Sequence, residues 1–187
     1  MSTTGKKIPY ADALAVAQAL EVRLCSACTR TLIAGSLRRR RDEVGDLELV
    51  VQPITAPILD MFGEPAGERS LLDDALADLV PVREKDGQRY KSFVWEGFPV
   101  DLFIATRETW GCIATIRTGS ADFTKWLVTN RRQGGGCPAH LRFNEGRIWL
   151  VDQAMETETE EDLFNVLEQP WVTPEERIAG RWKRYPR

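Results

Sequence analysis

Apolar residues follow two different spacings along this chain, one helical and one alternating. A stripe at helical spacing predicts a helix over residues 10–25, and it is formed by Ala13, Val16, Ala17, Leu20 and Leu24. Short apolar runs predict strands at residues 29–34, 46–51, 80–83, 90–95 and 100–104. Helices and short strands that are mixed in this way are typical of an α+β fold.

The central pattern is the stretch from Ile33 to Val50, in which an apolar run ends at Gly35-Ser36 and a basic segment follows. A glycine lets backbone approach an anion, and a helix that starts at Ser36 presents free N–H groups to a phosphate. Nine residues separate Ser36 from Asp46, and Asp46 and Glu48 alternate with leucines. Residues i and i+2 of a strand share a face, so these two carboxylates project together, while Leu47, Leu49 and Val51 pack on the other side. Oxygen ligands of this kind suit Mg²⁺.

A third carboxylate, Asp101, interrupts the apolar strand at residues 100–104. Burying it without a partner would be costly. One interpretation is an acid at the rim of a sheet. The other is that this strand lies beside the strand of Asp46, so that Asp101 completes a cluster of three carboxylates able to hold two metal ions.

Turn signals predict how the remaining segments are joined. Pro53 and Pro57 end the strand that starts at Asp46, and residues 63–67 form a loop. Ser70 and Asp73 make a capping box that opens a helix running through Leu79. Asp86-Gly87 is a hairpin turn, and residues 96–99 turn the chain into the strand of Asp101. The glycines at 134–136 form a hinge between a helix and a second hairpin.

Composition limits the classes of protein to which the chain can belong. The 187 residues, 43% of them hydrophobic, suffice for one large domain or for two lobes. The N-terminus lacks the apolar core of a signal peptide, and no apolar run reaches membrane-spanning length, so we expect a cytoplasmic protein without a membrane partner, and a monomer.

The four cysteines do not predict a metal site. Cys25 and Cys28 have the spacing of half a zinc site, but Cys112 and Cys137 are too widely spaced for the other half, so we expect reduced thiols. His140, the only histidine, falls in a predicted strand, where a structural role is more common.

The net charge of −3 hides local basic patches. Local patches bind phosphate backbones even when the total charge is acidic. Candidates for contact with the backbone of a nucleic acid such as DNA are Arg131 and Arg132, which lie within one helix's length of Lys125, and Arg181, Lys183 and Arg184 in the C-terminal tail. The alternative for each patch is ordinary solvated surface charge.

Several motifs together resemble the family X DNA polymerases of the polymerase β superfamily. Gly35-Ser36 followed by Asp46 and Glu48 matches the superfamily pattern. The segment from Trp110 to Lys125, with Thr118-Gly119-Ser120 before a helix, resembles the family's nucleotide-binding segment. Further matches are Lys7-Ile8-Pro9, the hairpin at residues 141–146, the acidic-Asp-apolar-Phe stretch at 159–164 and the Pro-aromatic and Pro-Glu-x-Arg ending at 169–177. The similarity spans about residues 7–182.

The resemblance implies a palm subdomain with a small mixed sheet in residues 1–105 and a nucleotide- and DNA-contacting subdomain in residues 106–187. It implies that Asp46, Glu48 and Asp101 bind two Mg²⁺ ions, and that Asp101 also positions or deprotonates the primer 3′-hydroxyl. By the same resemblance, Gly35, Ser36 and Arg39 hold the phosphates of a nucleoside triphosphate. The sugar and base would be contacted by Ile116, Arg117, Thr118, Gly119, Ser120, Thr124 and Lys125.

Four positions depart from the family pattern. The second carboxylate is Glu48 where the family has aspartate, which affects metal geometry and favours Mn²⁺ as an alternative. The aromatic pair before Thr118 is replaced by Ile116-Arg117, and the usual asparagine near the base is Thr124. The family's N-terminal lyase domain is not seen, so no lyase activity is expected.

The sequence therefore predicts a DNA polymerase that adds deoxynucleotides to a primer 3′-hydroxyl, in gap-filling repair. Two alternatives remain open. One is a template-independent or non-DNA nucleotidyltransferase, and the other is a catalytically weak module that binds gapped DNA.

Overall fold

The structure, a computed structural model, describes residues 7–79, 87–178 and 180–184. For Arg184 it describes the backbone alone. The helices are α1 (Tyr10–Leu24), α2 (Gly35–Arg38), α3 (Leu71–Leu76), α4 (Trp110–Thr118), α5 (Ala121–Val128) and α6 (Glu160–Val166). The strands are β1 (Ile8–Pro9), β2 (Cys28–Ile33), β3 (Glu43–Val44), β4 (Leu47–Pro53), β5 (Thr55–Leu59), β6 (Pro65–Ser70), β7 (Tyr90–Trp95), β8 (Phe98–Ile104), β9 (Leu141–Asn144), β10 (Arg147–Leu150) and β11 (Gln153–Met155). Helices and small sheets are mixed along the chain, which confirms the predicted α+β class.

The chain divides into two compact units. The first contains the residues up to Ile33 together with Glu43–Ile104, and the second contains Ala34–Asp42 together with the residues from Ala105 onward. The basic segment after Ile33 therefore belongs to the second unit. The subdomain boundary at residues 105 and 106 remains a prediction.

The first unit is built on a four-stranded mixed sheet with strand order β2-β4-β8-β7. Strand β4 runs parallel to β8 and antiparallel to β2, and β7 and β8 form a hairpin. Leu47, Leu49 and Val51 are completely buried, as their alternation with polar residues predicts. Helix α1 contributes Ala13, Ala17, Leu20 and Leu24 to the core, in agreement with the predicted stripe.

A hairpin of β5 and β6 corrects the prediction for residues 53–70. The segment 63–67 was expected to be a loop, but β6 begins at Pro65 and pairs antiparallel with β5. Pro57 lies inside β5 because a two-stranded hairpin leaves outward-facing N–H positions unpaired, where proline is tolerated. Met61 and Phe62 at the hairpin tip are exposed, and so are most residues of both strands. Because neither strand buries one face, the sequence shows no alternation of apolar and polar residues there.

Two other predicted boundaries change. Ser70 caps α3 by accepting a hydrogen bond from the Leu72 N–H, but the helix ends at Leu76 and does not continue through Leu79. The predicted strand at residues 80–83 and Asp86 of the predicted turn lie outside the described residues. Arg131 and Arg132 fall in a separate 3₁₀ turn, Arg131–Gln133, after α5 has ended at Val128.

The second unit packs α4, α5 and α6 with the three-stranded antiparallel sheet β11-β10-β9. Its core includes Phe123, Leu127, Ile148, Leu163 and Phe164. Gly111 allows α4 to pack closely against the start of α6, since a Cβ at this position would lie 1.8 Å from the Thr159 carbonyl oxygen. None of the helices in the described ranges combines the length and the apolar character that crossing a bilayer requires.

Candidate active site

Glu48 and Asp101 lie side by side on two adjacent strands of the first unit. Strands β4 and β8 pair in parallel with Glu48 opposite Asp101 in register, which confirms the prediction that the two strands are neighbours. Asp46 lies two residues before Glu48, just ahead of β4, and is exposed, whereas Glu48 and Asp101 are half-buried. Parallel register brings acids that are 53 positions apart in sequence to the same level of the sheet.

Tyr90 holds the carboxylate of Asp101 in place. Its hydroxyl donates a hydrogen bond to Oδ1 of Asp101, with an oxygen-to-oxygen distance of 2.5 Å. The ring of Tyr90 packs against Phe103 with centroids 5.3 Å apart, so the donor is itself anchored. The sequence alone does not indicate this role of Tyr90, because only the antiparallel pairing of β7 with β8 brings it near Asp101.

The donor chemistry of these residues fits a hard cation. Mg²⁺ is commonly held by one or two carboxylates plus substrate phosphates, and Glu48 and Asp101 supply two carboxylates from paired strands. Within residues 7–79, 87–178 and 180–184, however, no group of three or more histidine, cysteine, aspartate or glutamate side chains is arranged to hold a metal ion. The two-metal cluster of Asp46, Glu48 and Asp101 therefore remains a prediction.

In the second unit, the segment Gly35–Arg39 is joined to the segment Thr118–Ser120. Nη1 of Arg39 donates to the carbonyl oxygens of Thr118 and Gly119, at 2.6 and 3.2 Å. Nη1 of Arg38 donates to the hydroxyl of Thr118 at 2.7 Å. The structure thus brings together residues that the sequence assigned to phosphate binding and to sugar binding.

The short helix α2 carries an unsatisfied hydroxyl. Gly35 adopts a positive φ of 59°, a conformation that a glycine accepts without strain. Oγ of Ser36 is buried and has no hydrogen-bond partner among the described residues. A buried hydroxyl without a partner is uncommon in a folded protein. A ligand oxygen would satisfy this group.

Glu160 forms a buried ionic network with two arginines of the same unit. Its Oε1 accepts a hydrogen bond from Nη1 of Arg177 at 2.6 Å, and its Oε2 accepts one from Nη2 of Arg38 at 2.5 Å. Thr115 donates a further hydrogen bond to Oε1 at 3.2 Å. Burial tends to raise the pKa of Glu160, but the charges of Arg177 and Arg38 and their hydrogen bonds outweigh it and hold that pKa below its ordinary value.

Arg177 fixes the loop that contains Ser120. Its side chain is fully buried, and its guanidinium carbon lies 5.0 Å from the ring centroid of Trp171 and 5.3 Å from that of Phe164. Such cation–π contacts compensate part of the desolvation of the charge. The carbonyl oxygen of Arg177 accepts hydrogen bonds from both the backbone N–H and the hydroxyl of Ser120.

Residues predicted to contact the sugar and base have varied surroundings. Ile116 packs against the core of the second unit, and its carbonyl accepts a hydrogen bond from the Thr124 hydroxyl at 3.0 Å. Arg117 is half-buried and Lys125 is exposed on α5. The hydrogen bond between Thr124 and Ile116 therefore links α5 to α4.

The predicted DNA-contacting cations also differ in exposure. Arg131 is half-buried and donates to the carbonyl oxygens of Leu167 and Gly136, so it supports the end of α6. Arg132, Arg181 and Lys183 are exposed, whereas the side chain of Arg184 lies outside the described part of the chain.

The buried cysteines Cys28 and Cys112 offer no reactive thiolate. All four cysteines of the chain are free. Burial raises the pKa of Cys28 to about 11 and that of Cys112 to about 12. Both thiols are thus protonated and weakly nucleophilic near neutral pH.

Glu160 and Arg177 were not assigned a role from the sequence. Both lie inside motifs that carry the resemblance, Glu160 in the acidic stretch at 159–164 and Arg177 at the end of Pro-Glu-x-Arg. No local signal distinguishes Glu160 from the neighbouring acids Glu161 and Asp162. Their pairing depends on the packing of α6 against the C-terminal segment.

Comparison with known proteins supports a distant relationship. No known protein family, as described by its sequence model, matches the chain. The chain is 25% identical over 177 residues to DNA polymerase lambda of Rattus norvegicus, a family X polymerase, and the match covers 82% of the chain. The chain spans about 28% of the length of that relative. The similarity supports a distant family X relationship at most.

Proposed function

We propose that the protein is a nucleotidyltransferase of the family X type that adds deoxynucleotides to the 3′-hydroxyl of a DNA primer. The observation that carries the proposal is the parallel pairing of β4 with β8, which sets Glu48 opposite Asp101. The similarity of most of the chain to DNA polymerase lambda supports the same reaction class.

Asp46, Glu48 and Asp101 are the residues that would hold two Mg²⁺ ions. When bound, such ions neutralise the triphosphate and favour ionisation of the attacking hydroxyl. Asp101 accepts the proton of the primer 3′-hydroxyl, and the hydrogen bond from Tyr90 orients its carboxylate for this task. In-line attack on the α-phosphate then releases pyrophosphate.

Gly35, Ser36 and Arg39 bind the phosphates of the incoming nucleotide. The hydroxyl of Ser36, which has no partner among the described residues, donates to a phosphate oxygen. Arg39 neutralises charge as pyrophosphate leaves. Because Arg39 is bonded to the carbonyls of Thr118 and Gly119, phosphate binding and the position of the sugar-side loop are coupled within the second unit.

The sugar side is formed by Thr118, Gly119 and Ser120, with Ile116 and Arg117 in place of an aromatic pair. Gly119 is required for the packing of this loop, since a Cβ there would lie 2.4 Å from the ring of Phe123. Thr124 and Lys125 lie beside the base and the template, and exposed cations such as Arg132 and Lys183 bind the DNA backbone.

The proposal is tested by primer extension with the purified chain. Single-stranded, gapped and template-primer DNA are each offered with the four deoxynucleoside triphosphates, in Mg²⁺ and separately in Mn²⁺. We expect templated incorporation that is strongest on gapped DNA, as gap-filling repair requires.

Other outcomes of this assay identify the alternatives. Extension that ignores the template indicates a template-independent transferase. Binding of gapped DNA without turnover of any nucleotide in either metal contradicts the proposal and leaves a DNA-binding module.

A further inference from the structure

A cavity of about 950 Å³ lies within the second unit beside α5. Helix α5 buries Phe123 and Leu127 in the core. Asp122 and Trp126 of the same helix line the cavity, and so does Thr129 at its C-terminal cap. The spacing of four residues places Asp122 and Trp126 on one side of the helix. The volume lies within the range of small-molecule binding sites.

Two tryptophans form the aromatic wall of this cavity. The rings of Trp126 and Trp182 have centroids 5.8 Å apart and planes inclined by 40°. Phe123 supports both from the core, with centroid distances of 5.8 Å to Trp126 and 5.3 Å to Trp182. Three packed rings hold the wall in one position, which is the requirement for a stacking surface.

Glycines shape the opposite rim. A Cβ at Gly135 would lie 1.9 Å from the Thr129 carbonyl oxygen, and one at Gly136 would lie 3.0 Å from the ring of Trp126. Any larger residue would therefore displace the rim or the tryptophan. Of the glycines at 134–136, which the sequence predicts to form a hinge, Gly135 and Gly136 are thus closely packed, whereas a Cβ at Gly134 would meet no atom within 4 Å.

The polar groups of the cavity favour an anion. Lys125 and Lys183 contribute two exposed ammonium groups, and Asp122 contributes one carboxylate, so the cations are in excess. Trp182 is 3% exposed, and its indole Nε1 donates to no atom among the described residues. The amide nitrogen of Gln169 is already bonded to the Gly136 carbonyl at 2.8 Å. The indole N–H of Trp182 is thus an unused donor in the cavity wall that a ligand acceptor would satisfy.

We propose that this cavity binds a nucleotide unit, with the base stacked on the half-buried ring of Trp126, the indole N–H of Trp182 donating to a base acceptor and the phosphate paired with Lys183. A flat π-system is the ligand that an aromatic wall stabilises best, and stacking on tryptophan tolerates any base. Ammonium groups bind phosphate as point charges. A purely apolar ligand would leave the lysines unused, and a metal ion would find a single carboxylate.

The nucleotide unit has two possible sources, a single-stranded segment of nucleic acid and a free mononucleotide. The site rests on the proposed function, which already gives Lys125 and Lys183 contacts with nucleic acid, but it needs neither a metal ion nor the residues Asp46, Glu48 and Asp101. Because its test uses no metal ion and no primer extension, failure of the site and failure of the polymerase proposal are distinguishable.

The test uses the full chain labelled with ¹⁵N at its six tryptophans. Indole N–H signals are followed by NMR, without metal, during titration with 5′-phosphorylated tetrathymidylate. Trp182→Phe assigns one signal and removes an N–H that has no partner within the described residues. We expect the signals of Trp126 and Trp182 to shift the most.

Lys183→Ala is compared with the control Arg107→Ala. Arg107 is an exposed cation of the same unit whose side chain pairs with Glu158, so the control also removes one positive charge. We expect Lys183→Ala to weaken binding about three- to fivefold, the effect of losing one exposed charge contact, and Arg107→Ala to leave it unchanged. Unmoved signals of Trp126 and Trp182, or equal binding by the two variants, would overturn the proposal.

Titration with two further ligands distinguishes a nucleic-acid strand from a free nucleotide, and stacking of a base from binding of phosphate alone. If thymidine monophosphate shifts the same signals and binds with the same affinity as the oligonucleotide, the occupant is a free nucleotide. If only the oligonucleotide shifts them, the occupant is a strand. Both results support the nucleotide site. Inorganic phosphate that reproduces the shifts in full would contradict it, because no base would then be stacked.

Discussion

Arg177 and Glu160 form an ion pair inside the second unit, with Nη1 of the arginine 2.6 Å from Oε1 of the carboxylate. The arginine side chain has no solvent exposure and that of the glutamate has 7%. Glu160 also binds Arg38, which in turn binds Thr118, while the backbone of Arg177 holds Ser120. One buried carboxylate therefore connects α2 to the loop at residues 118–120.

Replacing Glu160 by glutamine should destabilise the protein severely. The change leaves Arg177 buried without a counter-charge, and breaking one side of a buried pair costs about 3–5 kcal/mol. Denaturant unfolding followed by circular dichroism measures the difference. The matched control is Glu158→Gln, which alters the exposed pair with Arg107 and should change stability little. Equal effects of the two substitutions would show that the buried network contributes no special stability.

The contribution of Glu160 should also depend on pH. Its pKa in the folded protein is held below the ordinary value of 4.5 by Arg177 and Arg38, against the effect of burial. The stabilisation is thus complete above that ordinary value and is lost as the pH falls through the lower folded pKa, because the unfolded chain binds the proton first. The stability advantage of the wild type over Glu160→Gln should be constant near neutrality and shrink below about pH 4. An advantage that grows on acidification would contradict this assignment.

Close backbone packing in the second unit should make Gly111→Ala strongly destabilising. The new Cβ would lie 1.8 Å from the carbonyl oxygen of Thr159, and overpacking of this kind costs about 1–3 kcal/mol or more. Gly45→Ala is the control, since the nearest atom to its Cβ would be in the Lys7 side chain at 3.9 Å. Thermal unfolding of both variants measures the contrast, and similar melting temperatures would be inconsistent with the packing described.

Tyr90→Phe should reduce nucleotide transfer with little loss of stability. The substitution removes the hydrogen bond to Asp101 but keeps the ring that packs on Phe103. A positioning role predicts a fall in kcat of about ten- to hundredfold with KM for the nucleotide nearly unchanged, because an oriented base acts only in the transition state. A rise in KM alone would indicate that Tyr90 contributes to substrate binding instead.

The parts of the fold set by local pattern could be predicted from the sequence. The stripe of α1, the alternation around Asp46 and Glu48 and the strand of Asp101 were found because burial leaves a periodic signal. The hairpin β5–β6 was missed because its residues are largely exposed. Tyr90, Glu160 and Arg177 were missed because their partners are brought near only by tertiary packing. The register of β4 and β8 sets Glu48 opposite Asp101, but it does not by itself place Asp46, Glu48 and Asp101 around metal ions.

The most direct test of the proposed reaction is single-nucleotide incorporation into gapped DNA by Asp101→Asn. The variant keeps the size of the side chain and an oxygen that can accept the Tyr90 hydrogen bond, but it loses the carboxylate charge. Asp73→Asn is the matched control, since Asp73 is an acid of the same unit that pairs with Lys91. At equal protein and Mg²⁺ concentrations, we predict that incorporation falls at least about a thousandfold in Asp101→Asn, as loss of a metal-binding, proton-accepting carboxylate implies, and stays near the wild-type rate in Asp73→Asn. Incorporation by Asp101→Asn at close to the wild-type rate would contradict the account.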